Sequence, residues 1–148
     1  MRRRTIGAAV TAAAIAATAL LGSAGAGSAA ETITAFVGQQ KVRVADVGKP
    51  GPSPGDDLLV RVELFADEAR SERLGSVRAA CEQLDRNHLY CWNELTVDGR
   101  GDLTTEGTQD LRTPVVLDPI TGGTGDFVGA VGTVTVDFSV GVLTISIV

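Results

Sequence analysis

The sequence predicts an all-β domain of eight sequential antiparallel strands behind an N-terminal export segment. Three observations carry this reading. Runs rich in Val, Ile, Leu, Thr and Phe recur from residue 31 to 148, several in strict apolar/polar alternation. Clusters of Gly, Pro, Asp and Asn stand between them and supply turn geometry. No stretch carries a helical period of apolar residues.

Residues 1–30 read as a signal peptide. Arg2, Arg3 and Arg4 form a cationic start, Ile6 to Leu21 is an alanine-rich apolar run, and Ser28-Ala29-Ala30 offers a cleavage site before Glu31. The apolar run is too short for a stable membrane span after cleavage. The paired arginines leave both the general and the twin-arginine export routes open. The expected product is secreted.

Cleavage leaves residues 31–148, enough for one domain with a core and too few for two. All 18 acidic residues fall in this part with 10 of the 13 basic ones, a net charge of −8. Nucleic acid and anionic lipid need clustered Lys and Arg, so this charge argues against both as partners.

The strands are expected at about 33–46, 58–66, 74–83, 88–97, 102–108, 113–120, 130–138 and 142–148. In the second, Leu58, Val60, Val62 and Leu64 alternate with Leu59, Arg61, Glu63 and Phe65. In the seventh, Val134, Val136 and Phe138 alternate with Thr133, Thr135 and Asp137. In the eighth, Leu143, Ile145 and Ile147 alternate with Thr144 and Ser146. The proline-rich segment Gly48 to Gly55 cannot continue a ladder, and is expected as a loop at a barrel mouth. Asp67 to Arg73 reads as a charged hairpin loop.

Cys81 and Cys91 are the only cysteines. An oxidising compartment favours a disulfide between them. A hairpin with the loop Asp85-Arg86-Asn87 sets them opposite each other, with Asn87 suited to a left-handed position. Periodicity alone leaves a closed up-and-down barrel and a two-sheet sandwich both open.

Residues 120–132, ITGGTGDFVGAVG, closely resemble the I-T-G-G-[TA]-G-x-[FY]-x-G-A-x-G signature of the allene oxide cyclase and dirigent protein superfamily. Gly55-Asp56-Asp57-Leu58 leading to Glu63-Leu64-Phe65, Gly75 to Cys81, and Asp98-Gly99 through Gly107 resemble further stretches of the same family. The resemblance decides for an eight-stranded antiparallel up-and-down β-barrel, with Gly122, Gly123 and Gly125 as a structural turn. It implies one of two activities: closing a reactive epoxide into a ring, or holding radicals so that they couple with one handedness. It also implies a homotrimer, and an isomerase or cyclase without metal or organic cofactor if the protein is an enzyme.

Neither activity transfers residue by residue. Ala130-Val131-Gly132 stands where dirigent proteins usually carry an arginine between Ala and Gly. The glutamate that allene oxide cyclases use has its closest candidate here in Asp46. A disulfide at Cys81 removes the thiol discussed in cyclase chemistry.

The candidate catalytic acids are Asp46 and Glu94, since a carboxyl desolvated in an apolar lumen gains the pKa of a general acid. Tyr90 and Trp92 share a strand face with Glu94 and are the candidate ligand-binding residues if that face lines the lumen. The alternative is that they pack between subunits. His88 is the sole histidine, which excludes a multi-histidine metal site. Arg100-Gly101-Asp102 reads as a hairpin turn. The function expected is a secreted barrel that binds a small apolar molecule or guides its stereochemistry. The alternatives are a cyclase and a structural extracellular protein.

Overall fold

The computed structural model describes residues 30–148, so the expected signal peptide lies outside the described residues. Eight strands form one closed antiparallel barrel in sequence order. They are β1 (Glu31–Ala45), β2 (Asp57–Phe65), β3 (Arg73–Gln83), β4 (His88–Val97), β5 (Gly101–Asp110), β6 (Val115–Gly123), β7 (Gly132–Asp137) and β8 (Val142–Ile147). A 3₁₀ turn, Gly125–Phe127, stands between β6 and β7.

β1 closes the barrel by pairing on both sides. Its first part runs along β8 from Glu31↔Ile147 to Phe36↔Val142. Its second part runs along β2 from Phe36↔Phe65 to Ala45↔Asp57. A bulge between Val37 and Gln40 lets the strand bend from one partner to the other. Gly38 sits in that bend, where a Cβ would lie 2.9 Å from the Glu63 carbonyl oxygen.

The alternation read in β2, β7 and β8 matches the burial observed: Val62, Leu64, Val134, Leu143, Ile145 and Ile147 are all buried. One end of the barrel is solid. Phe127, from the 3₁₀ turn, is 1% exposed and belongs to a core with Leu64, Leu95, Leu103, Ile145 and Ile147. Arg100 braces this plug. Its guanidinium lies 4.8 Å over the Phe127 ring and bonds both Glu31 oxygens, at 2.6 and 2.9 Å, and Asp126 at 3.1 Å. The tripeptide 100–102 is thus a structural corner.

Two local expectations are corrected. β6 does not end at Ile120: Gly122 and Gly123 continue it, paired with Thr104 and Leu103 of β5. The turn proper is Gly125–Phe127, with Gly125 at φ 58°. Gly123 is required because the turn folds back on it, so that a Cβ would lie 2.2 Å from the Phe127 carbonyl oxygen. Asn87 is not left-handed. The one described non-glycine residue with positive φ is Arg70, at 55°. The 85–87 loop is closed instead by the Asp85 carboxylate, which accepts from the backbone N–H groups of Asn87 (2.7 Å) and His88 (3.0 Å).

Cys81 and Cys91 form a disulfide across a directly paired position of β3 and β4, with Cα atoms 4.0 Å apart. Both sulfurs point inward.

Phe127→Ala is expected to lower the unfolding free energy by about 3–5 kcal/mol, the cost of emptying a buried aromatic site. Urea denaturation checks it; a loss below about 1 kcal/mol would show that Phe127 does not seal the barrel.

Candidate functional site

Above the plug the barrel is hollow. A cavity of about 270 Å³ opens at the end where β1 runs into β2, β3 into β4, β5 into β6 and β7 into β8. Its walls are Val60, Val62, Val77, Ala79, Leu89, Val116 and Val136, with the Cys81 side of the disulfide. Val42, Leu111 and Phe138 stand at the rim, between 48% and 55% exposed. No residue of Gly48 to Gly55 lines the cavity. That loop is held to the rim by Asp56, 2% exposed, whose two carboxylate oxygens accept from Val47 N and Ser53 N at 2.7 Å each. These bonds hold the Asp56 carboxyl below the usual aspartate range.

One polar cluster interrupts the apolar wall. Asp118 of β6 is 4% exposed and faces the lumen. Asn93 of β4 reaches it across β5: its Nδ2 donates to Asp118 Oδ2 at 3.2 Å and to Thr105 Oγ1 at 3.1 Å. The Gln109 amide is the second polar neighbour. Burial pushes the Asp118 carboxyl up from its ordinary pKa, while the hydrogen bonds of Gln109 and Asn93 pull the other way and only partly offset it. Gly107 makes room for this carboxylate, since a Cβ there would lie 2.1 Å from Asp118 Oδ1. Asp118 also sits where the β5–β6 ladder ends. Pairing runs from Leu103↔Gly123 to Thr105↔Ile120 and stops beside Pro119, which has no N–H to give.

The sequence-read candidates stand elsewhere. Tyr90, Trp92 and Glu94 face out of the barrel, and Tyr90 and Trp92 are 42% and 45% exposed. With Leu59 and Ala80, Tyr90 and Trp92 form a shallow outer depression, and Tyr90 Oη donates to Glu106 at 3.1 Å. The opposite face of β4 (Leu89, Cys91, Asn93 and Leu95) is the buried one. Asp46 is exposed beyond β1, its Oδ2 accepting from Gly51 N at 3.0 Å. None of the four touches the cavity. His88 bonds Asp85 on the hairpin loop through Nδ1, at 2.8 Å.

No family model and no curated protein matches the sequence. Solved structures do match the fold. A pyocyanin demethylase superposes with a TM-score of 0.70 at 24% identity, over 80% of this chain and 100% of that one. The pterocarpan synthase dirigent protein GePTS1 gives 0.64 at 18%, over 93% and 96%. The Diels-Alderase AbmU from Streptomyces koyangensis gives 0.64 at 16%, over 81% and 70%. The barrel therefore has the fold of these demethylase, dirigent and Diels-Alderase structures.

In carbon-13 NMR the Asp118 carboxyl is expected to titrate above ordinary aspartates, and Asn93→Leu to move it further up by removing a bond that favours the charged form. Since the folded carboxyl holds its proton more tightly than the unfolded one, its ionisation costs stability above the folded pKa and nothing below the unfolded one. Asp118→Asn should therefore gain stability over the wild type as pH rises through that window. A titration at or below the ordinary aspartate value would contradict the burial argument.

Proposed function

We propose that the barrel binds a compact, largely apolar small molecule in its lumen and holds it for stereochemically controlled chemistry, in the manner of a dirigent-like guide. The observation that carries this is an apolar cavity, sealed by Phe127 at one end and open at the other, with one buried carboxyl–amide cluster in its wall. A few convergent polar groups in an apolar pocket are what orients a small ligand. The volume lies just under the range of drug-sized sites, about 300–1,000 Å³, which favours a compact molecule. Fold neighbours named for dirigent and Diels-Alderase activities support handling of reactive ring systems.

A second reading is favoured by one observation, the upward push on Asp118. A cyclase or isomerase would use protonated Asp118 to donate to an oxygen that gains charge during ring closure, and recover a proton as the product re-forms. Two further expectations carry over as proposals. Export with cleavage before Glu31 is supported by the disulfide, and N-terminal sequencing of the secreted protein tests it. Assembly as a homotrimer, with Tyr90 and Trp92 between subunits, is tested by sedimentation.

Calorimetric titration with naphthylethanol separates the lumen from the outer face. Val77→Phe fills the lumen and is expected to weaken binding by at least about tenfold, or about 1.4 kcal/mol, while Trp92→Ala leaves it unchanged. The reverse pattern would move the site to the outer depression and overturn the proposal.

A further inference from the structure

Asp118 stands alone electrically. The side chains packed around it are Asn93 from β4, Thr105 and Gln109 from β5 and Val134 and Val136 from β7, and none of them ionises. Gln40, on the β1 side of the cavity, is neutral as well. Among the described residues, no Lys, Arg or His lines the cavity. A charged pair at the mouth, Asp110 with Arg112, is satisfied internally by bonds of 2.7 and 2.8 Å.

A carboxylate in an apolar wall, met only by amide donors, lacks the counter-charge that buried ions otherwise find. The rest of the chain points the same way. Residues 30–148 carry 18 acids against 10 bases, a net charge that favours the approach of cations over anions.

We infer that the lumen selects cations: its ligand is a compact apolar molecule with one positively charged nitrogen, such as a protonated amine or a charged heterocycle, seated with that nitrogen on Asp118. This rests on the lumen being the binding site. The walls take the apolar body, Asn93 and Gln109 fix the carboxylate, and the ligand's N–H or ring charge supplies the missing partner. A carboxylate ligand is disfavoured wherever Asp118 is ionised, because it would set two like charges together in a desolvated site. Binding is coupled to protonation. The cation favours ionised Asp118, so affinity rises as pH rises through the elevated Asp118 pKa and falls below it. The acid-catalysis reading requires the opposite, since a protonated Asp118 prefers a neutral acceptor.

Three molecules of matched shape test this: naphthylethylammonium, naphthylethanol and naphthylacetate, titrated calorimetrically into the full chain. At pH 7.5 the ammonium is expected to bind at least about tenfold tighter than the alcohol, the scale of one charge-assisted hydrogen bond, with the acetate weakest. Asp118→Asn should bring the ammonium and the alcohol within about twofold of each other. Lowering the pH on the wild type should shrink the preference, so the test stands even if the variant does not fold. Equal affinities, or an alcohol preferred at every pH, would overturn cation selection and leave the lumen as a binding site. Ammonium binding that survives Val77→Phe would place the cation on the acidic exterior and also overturn it. Failure of all three to bind the wild type would overturn the binding reading itself.

Discussion

The double pairing of β1 is the constraint on which the site depends. With β8 on one side of its first half and β2 on one side of its second, a single strand of 15 residues turns seven others into a closed surface. Closure removes the sheet edges and creates an inside. The bulge at Val37 to Gln40 is where that strand bends, and two inward residues just past it, Gln40 and Val42, already line the cavity. The 3₁₀ turn then decides which half of the inside is solid. Phe127 fills one end, and among the described residues the aromatic at the other, Phe138, stays half-exposed at the rim, so the hollow follows from asymmetric plugging of the barrel.

Electrostatics divide the loops at both ends from the lumen. The rim and loop acids Asp56, Asp67, Asp85 and Asp137 are solvated or bonded by backbone N–H groups, and each is held below the usual aspartate range. Their folded pKa values lie below the unfolded ones, so they contribute stability above the unfolded value and lose it as pH falls through the folded one. Asp118 is shifted the other way by burial. The loops are thus tuned for a neutral medium, and the one group arranged against stability is the one that faces the lumen. Strained or costly groups in a cavity are where function is expected to sit.

Most of the fold was legible because alternation and turn chemistry agreed. β2, β7 and β8 each show one apolar face in the sequence, and those faces turn inward, buried or half-buried along the lumen, except Phe138, which lies past the end of β7 and is 48% exposed. The disulfide followed from hairpin symmetry about Arg86. The end of β6 was misread because Thr-Gly-Gly looks like a turn. Within the strand, Gly123 serves a close approach to Phe127 and Gly122 one to the Thr104 hydroxyl. The site was less legible. Around Asp118 both strand faces are apolar (Val115, Val116 and Leu117), so period gives no direction, and Asp-Pro reads locally as punctuation. On β4 the aromatics Tyr90 and Trp92 looked like a pocket. The signal against it was available: once Cys91 is assigned inward with Leu89 and Leu95, its alternates must face out, and Asn93 must face in. The carboxyl that is desolvated in the lumen is Asp118, and neither Glu94 nor Asp46 lines the cavity.

The most direct measurement is a crystal structure of the protein with naphthylethylammonium bound. The account predicts the ring system within the cavity beside Val77 and the ammonium nitrogen within hydrogen-bonding distance of an Asp118 oxygen. A ligand seated on the outer face by Trp92, over a lumen filled by its own side chains, would contradict it.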